Sequence, residues 1–458
     1  MPAKKLSLLI AVCAAASLLH AATLPETALD RYVSTPDPHY RYDLALTIPG
    51  HGWTAYVLDM TSQQWRSERE VDRPIWKHWM VIVKPERVTS SVGFLHITGG
   101  DNTDSPPNQP DESLVRLATA TNTVVSEIRM VPNQPLTFRD DQVQRSEDAI
   151  IVYSWDKFLR GGDDQWPLRL PMTKAAVRAM DTVTDFCRSR LRVNVNNFVV
   201  SGASKRGWTT WATAAVDPRV TAIIPLVIDV LNVETSFQHH FQALGFWAPA
   251  VHDYEEAGIM NWMDTPEYRK LMEIEDPYSY RCRLTMPKLL INATGDEFFL
   301  PDSSRFYWDD LQGEKYLRYV PNANHSLDGT DALDSIESFY ASVVERLPRP
   351  RMNWTFDADG GITLRSEDRP ERVLLWQATN AKARDFRVDT IGKAYRASAL
   401  EDRGGGTYVA HVRPPRAGWT AYFVEATYQV GGRPLKLTSG VRVTPDTLPY
   451  PRPKPRRP

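Results

Sequence analysis

Asn196-Asn-Phe-Val-Val-Ser-Gly-Ala-Ser-Lys-Arg-Gly-Trp-Thr-Thr-Trp-Ala-Thr-Ala-Ala-Val216 is the stretch on which the fold turns. A short apolar, β-branched run (Phe198, Val199, Val200) enters a turn of small residues, Gly202-Ala203-Ser204. An Ala-rich, helix-forming run, Thr209 to Ala215, follows directly. A serine on a sharp strand-to-helix turn holds its hydroxyl out beyond the end of a sheet, in the manner of an enzymatic nucleophile. The helix that follows turns its first N–H groups toward the oxygen that becomes negative during attack. The spacing departs from the usual G-x-S-x-G, because Arg206 stands where the second glycine belongs and Gly207 comes one residue later. The plainer alternative is a βα turn whose serine only caps the helix.

Working outward, the chain alternates strand and helix. Lys77–Lys84, Val92–Thr98, Thr123–Ile128, Thr221–Val230 and Lys288–Ala293 read as strands, and so does Tyr316–Val320. Glu112–Thr119 reads as a helix. Met172–Arg190 reads as another, with Val177, Met180, Val183 and Cys187 at helical spacing. Such alternation predicts an α/β fold with a mainly parallel sheet covered on both faces. Ligands of such sheets bind at the carboxyl ends of the strands, where Ser204 falls. Residues 233–280 interrupt the alternation with an aromatic-rich insertion (Phe237, Phe241, Trp247, Tyr254, Trp262 among others). It is expected to form a lid; extra helices with their own core are the alternative. Residues 131–170 form a second long excursion.

The ends of the chain differ in kind. Residues 1–22 have the form of a secretory signal, with Lys4-Lys5 before an apolar run from Leu6 to Leu19 and small residues at Ala21-Ala22. Export to the periplasm or medium is expected. No later run approaches the roughly 18 apolar residues of a membrane helix. The net charge is −2, and more negative once Lys4 and Lys5 are removed, which argues against nucleic acid or an anionic membrane as partner. Residues 23–347 should form the α/β domain. Arg346-Leu-Pro-Arg-Pro-Arg351 is a linker. Residues 352–445 should form a small immunoglobulin-like β-sandwich from short strands (353–357, 372–378, 407–412, 419–428, 436–443), with hairpin signals at Asp359-Gly-Gly, Gly404-Gly-Gly and Gly431-Gly. Residues 446–458 are a proline- and arginine-rich tail, expected to be extended or disordered. The mature chain keeps Cys187 and Cys282, expected as unpaired, buried thiols, with a disulfide as the alternative.

A serine nucleophile needs a base, and the base an orienting carboxylate, in the chain order Ser, acid, His. Asp296 lies in the turn after the strand 288–293, with Glu297 as the alternative acid and Asp302 as a weaker one. His325 lies on a polar loop just after the strand 316–320; the other histidine beyond Asp296 is His411, in the sandwich. His96-Ile-Thr-Gly99-Gly100-Asp-Asn102 occupies the place of an oxyanion loop, where glycine lets backbone N–H groups approach a substrate. The backbone N–H of Lys205 is the other expected oxyanion donor. The side chains of Lys205 and Arg206 either add charge to the site or hold a neighbouring carboxylate. His239-His240, His252-Asp253 and Glu255-Glu256 have no recognised metal spacing, and neither a metal nor another cofactor is expected.

The chain resembles the PhoPQ-activated pathogenicity-related family of the α/β-hydrolase superfamily. The resemblance is carried by 56–65, 71–79, Ile97-Thr-Gly-Gly-Asp-Asn102, Gly202-Ala-Ser-Lys-Arg-Gly-Trp208, Thr294-Gly-Asp-Glu-Phe-Phe299, Pro321-Asn-Ala-Asn-His-Ser-Leu327 and Pro445-Asp-Thr-Leu-Pro-Tyr450. It implies an exported protein with an α/β-hydrolase domain and a C-terminal β domain, without a defined substrate. Bacterial members are named for regulation, and eukaryotic relatives are discussed as secreted growth repressors. The displaced glycine is also similar to the elbow of glucuronoyl esterases, with Lys205 and Ala203 where those have arginine and cysteine. The expected function is a serine hydrolase that cleaves an ester, ahead of a peptide bond, in a small-molecule, carbohydrate-ester or peptide substrate. The alternative from another class is an inactive, secreted binding or signalling protein on the same scaffold.

Overall fold

Nine strands make one sheet in the structure, a computed structural model that describes residues 25–454. They are β1 (Arg41–Gly50), β2 (Trp53–Gln64), β3 (Ile75–Pro85), β4 (Val92–Ile97), β5 (Val125–Ile128), β6 (Asn197–Ala203), β7 (Val220–Leu226), β8 (Lys288–Ala293) and β9 (Lys315–Val320). The spatial order is β1-β2-β3-β5-β4-β6-β7-β8-β9. The first four pair antiparallel, and from β5 to β9 every pairing is parallel. This is the α/β-hydrolase order with one extra edge strand.

Strands buried on both faces explain the continuous apolar runs. Phe198, Val200, Ile223 and Leu290 point into one core, and Val199, Ile224, Leu289 and Ile291 into the other. Helices α1 (Glu112–Thr121), α2 (Asp148–Gly161), α3 (Arg169–Phe186) and α4 (Lys205–Val216) connect the strands, and the insertion between β7 and β8 contains α5 (Val233–Leu244) and α6 (Pro266–Glu275). Helix α7 (Ala332–Val344) follows β9 and packs beside α1.

Two antiparallel sheets follow. One is β10-β11-β14 (Met352–Phe356, Gly361–Ser366, Thr407–His411). The other is β13-β12-β15-β16, made of Arg396–Ala399, Arg372–Asn380, Trp419–Val430 and Arg433–Thr438, with β17 (Arg442–Thr444) paired to β15. Gly431 and Gly432, both at positive φ (59° and 78°), close the β15–β16 hairpin, as a two-residue loop of mirror-image type requires. The larger sheet turns Val373, Leu375, Val424 and Ala426 toward Ile362, Leu364 and Ala410 of the smaller one. Its opposite face meets the α/β domain, where the Phe423 ring lies tilted against Tyr319 at 6.3 Å, with Tyr395 of the C-terminal part 6.0 Å away. The backbone N–H of Tyr319, on β9, donates to Thr438 Oγ1 on β16 at 3.0 Å.

Several sequence expectations need correction. The strand read as 221–230 ends at Leu226, because Val227 takes φ 43° and donates its N–H to the Ile291 carbonyl at 2.7 Å. The helix read as 172–190 starts at Arg169 and stops at Phe186, and Cys187–Leu191 form a π turn. The last strand, read as 436–443, is two strands broken at Ser439–Val441. The excursion at 131–170 contains α2. Cys187 is buried and Cys282 exposed, both unpaired; burial pushes the Cys187 thiol up to about 12. The tail is not loose through residue 454. Tyr450 N–H donates to the Gln242 carbonyl (3.1 Å), and Arg452 pairs with Asp264 (2.6 Å), so the tail lies along the insertion. The expected export signal at 1–22 lies outside the described residues.

Candidate active site

Ser204 sits between β6 and α4 with φ 57° and ψ −129°, a strained backbone for a residue with a side chain. Its N–H donates to the Leu226 carbonyl at 2.9 Å, which fixes the turn. The displaced glycine has a physical account. A Cβ on Gly207 would stand 2.8 Å from the Gly202 carbonyl oxygen and 2.9 Å from that of Leu226. A Cβ on Gly202 would stand 2.6 Å from the Arg206 carbonyl oxygen. Residues 202 and 207 are therefore the two points where strand and helix backbones approach too closely for a side chain. Position 206 lies off that contact, and its side chain is free to reach elsewhere.

It reaches Glu147. Arg206 donates from Nη1 and Nη2 to the two Glu147 oxygens at 2.9 and 2.7 Å, and from Nε to the Val131 carbonyl at 2.5 Å. Lys205 Nζ lies 2.7 Å from Glu147 and 3.2 Å from Asp148. Burial alone would raise the Glu147 carboxyl, but the hydrogen bonds and charges of Arg206 and Lys205 prevail and hold it at about 2. Both cations beside the serine thus hold neighbouring carboxylates. Gly99 packs under this assembly, since a Cβ there would meet Arg206 Nη2 at 2.6 Å. Gly100 has φ +135° and its added Cβ would meet Asp104 at 2.9 Å, so a side chain there would be strained. The Lys205 N–H belongs to the first turn of α4 and has no partner within the helix.

Arg169, which sequence reasoning missed, is fully buried behind this turn. It donates from Nη1 to the Lys205 carbonyl (2.6 Å) and to Thr209 Oγ1 (2.9 Å), and from Nε to Glu275 Oε2 (3.3 Å). Glu275 belongs to the insertion, and its carbonyl also accepts from the Trp208 indole. One guanidinium thus ties elbow, helix and insertion together.

Asp296 and His325 lie beyond the ends of β8 and β9. His325 Nδ1 is 2.9 and 3.0 Å from the two Asp296 oxygens. Asp296 is buried, and its Oδ1 also accepts the N–H groups of Phe298 (2.8 Å) and Phe299 (3.2 Å). Glu297 faces a different atom: its Oε2 accepts the backbone N–H of His325 at 2.8 Å. The Phe298 ring lies 4.4 Å from the imidazole. His325 Nε2 is buried and unpartnered, and it forms no hydrogen bond with Ser204 Oγ in this structure. Asp302 turns away to a fully buried pair with Arg384 (2.6 Å) and to His239 Nε2 (3.1 Å).

Asp229, read as a strand residue, is buried after β7 and accepts the hydroxyls of Tyr307 and Tyr319, both at 2.5 Å. Burial, with the charges of Asp296 and Asp302, raises its carboxyl to about 8 against the opposing tyrosine hydrogen bonds. His240 Nε2 accepts the Ala248 N–H (3.0 Å), and His252 faces Glu255 and Glu256. Among the described residues no helix is long and apolar enough to cross a membrane.

The model of the PhoPQ-activated pathogenicity-related protein family matches residues 29–387. "Autocrine proliferation repressor protein A" of Dictyostelium discoideum is 39% identical over 459 residues, covering 94% of this chain and 92% of that protein. Among solved structures, acetyl xylan esterase 1 from Thermoanaerobacterium sp. aligns with TM-score 0.47 at 13% identity, over 69% of this chain and 92% of its own. The acylaminoacyl peptidase of Pyrococcus horikoshii aligns with TM-score 0.41 at 13% identity, over 66% of this chain and 49% of its own.

Proposed function

The chain belongs to the PhoPQ-activated pathogenicity-related protein family, and we propose that it is an exported serine hydrolase that cleaves an ester through an acyl-enzyme. The observation that carries this reading is the Asp296–His325 pair at 2.9 Å, whose Nε2 is left without a partner, at the same end of the sheet as a strained Ser204. In this reading Ser204 Oγ attacks the carbonyl carbon while His325 Nε2 takes its proton. Asp296 keeps the proton on Nδ1 and stabilises the imidazolium. The N–H groups of Lys205 and of the Gly99–Gly100 loop receive the oxyanion. His325 then protonates the leaving group, and water releases the acid by the reverse sequence. Catalytic hydrogen bonds are commonly long before substrate arrives, which accommodates the unbonded Ser204.

Labelling by a fluorophosphonate tests the reading. The full chain should label, and Ser204→Ala and His325→Ala should not. A second reading, a secreted regulator without turnover, is favoured by the printed name of the Dictyostelium relative. Failure of the folded protein to label, with no ester or peptide of a broad panel cleaved, would make that the better account.

A further inference from the structure

Residues 381–395 connect β12 to β13 in the C-terminal part, yet they run along both loops of the candidate site. The backbone N–H of Val388 donates to the Gly295 carbonyl at 2.9 Å. A Cβ on Gly295 would stand 2.3 Å from Val388 Cγ2 and 3.0 Å from the Ala323 carbonyl oxygen. This glycine, next to Asp296, is therefore pressed between the connection and the histidine loop. Asn322, three residues before His325, makes a closed pair with the Tyr395 backbone. Its Oδ1 accepts the Tyr395 N–H at 2.8 Å, and its Nδ2 donates to the Tyr395 carbonyl at 3.1 Å. The two loops are also laced to each other: the Asn322 N–H donates to Thr294 Oγ1, and the Gly295 N–H to the Ala323 carbonyl, both at 3.0 Å. At its start the connection supplies Arg384 to Asp302, which in turn meets His239 of the insertion. The connection is braced internally, since Asp385 accepts from Arg387 Nε and Thr390 Oγ1 (both 2.9 Å) and its carbonyl from Asn380 Nδ2 (2.7 Å). Asn324 and Ser326, on either side of His325, border a cavity of about 530 Å³. At that stretch the loop is held by hydrogen bonds more than by packing.

We propose that residues 381–395 are a strap that holds the Asp296 and His325 loops in register, with Asn322 as a positioning residue. The strap rests on these contacts alone; its catalytic consequence rests on the hydrolytic reading above. His325 Nδ1 must keep facing the Asp296 oxygens while Nε2 serves Ser204. Misplacement on the order of 1 Å in such an arrangement costs about 10²-fold in rate. Asn322 acts through the loop it holds, so its removal should matter only while the Asp296–His325 pair is intact.

The test compares the full chain with Asn322→Gly, which tolerates φ 59° and removes only the side-chain pair with Tyr395. Hydrogen–deuterium exchange should rise in peptides covering 294–300 and 321–327. Fluorophosphonate labelling should slow by about tenfold to 10²-fold. In the background of Asp296→Asn the same change should slow labelling by less than about twofold, because residues that act as a unit are not additive. A general loss of stability would slow both backgrounds alike. Unchanged exchange in the two loops, or equal slowing in both backgrounds, would overturn the proposal. A wild-type chain that does not label, while exchange still rises in Asn322→Gly, would overturn the hydrolytic reading and support the strap.

Discussion

Replacing Arg384 by methionine removes one half of a fully buried ion pair between the two parts of the chain. Arg384 and Asp302 are each 1% exposed and 2.6 Å apart, and Asp302 lies six residues beyond Asp296 on the same loop. Leaving a buried carboxylate without its cation costs about 3–5 kcal/mol. His239 Nε2, 3.1 Å away, keeps its contact with Asp302, which places the expected loss near the lower end. Denaturant unfolding of the full chain at neutral pH measures it. The companion variant Arg384→Met with Asp302→Asn should regain most of the loss, because no charge is then stranded. The pH dependence supplies a further check. Burial opposes ionisation of Asp302, but the charges of Arg384 and His239 prevail and hold its carboxyl well below the ordinary range. A lowered carboxyl contributes stability above its unfolded value and loses it as pH falls through the folded one. The gap between wild type and Arg384→Met should therefore close in strong acid. A loss below about 1 kcal/mol at neutral pH, the scale of a surface pair, would refute the reasoning.

Four further outcomes are expected. Asp229→Asn should flatten a decline in stability that the wild type shows as pH rises from about 4 toward 8, because a raised carboxyl opposes folding in that window by up to about 1.4 kcal/mol per pH unit; equal slopes in pH-dependent melting would count against it. Gly207→Ala should cost about 1–3 kcal/mol by forcing helix and strand apart and should slow fluorophosphonate labelling, whereas Arg206→Ala should spare the turn itself. Asp296→Asn should slow acylation on the order of 10⁴-fold, and Glu297→Gln by less than about tenfold; stopped-flow acylation with an activated ester distinguishes them, and an exchange of the two effects would reassign the acid. Truncation after Arg346 should expose Asp302 and the face of β9 that meets β16, giving a protein that aggregates or melts far lower by light scattering and circular dichroism.

The elbow was legible in the sequence because it is local. Strand, turn, serine and helix lie within 21 residues, and each step is set by the residue type at that position. The loop carrying Asp296 and Glu297 was legible for the same reason, as the end of a buried strand, but the choice between two adjacent carboxylates was not. That choice depends on which of them faces an imidazole 29 residues away, and no local pattern records it. The edge strand β1 was missed because it carries no code for burial: eight of its ten residues are exposed, and Pro49 stands inside it, as an edge strand tolerates.

The supporting shell was illegible for a stronger reason. Arg169, Glu147 and Arg384 reach partners 106, 59 and 82 positions away, and in the sequence each looks like any surface charge. Arg384 stands between Lys382 and Arg387, and only its burial separates it from them. Asp229 did carry a signal, a carboxylate in the apolar run Ile228-Asp-Val230, where a buried strand has no place for one. Read as a contradiction to the strand, it would have stopped the strand before residue 229, nearer to its observed end at Leu226. It would also have marked a buried acid beside the end of the sheet, where Asp296 and His325 meet. A charge that violates its local pattern is thus the one long-range feature that a single sequence can reveal, because the exception is itself local.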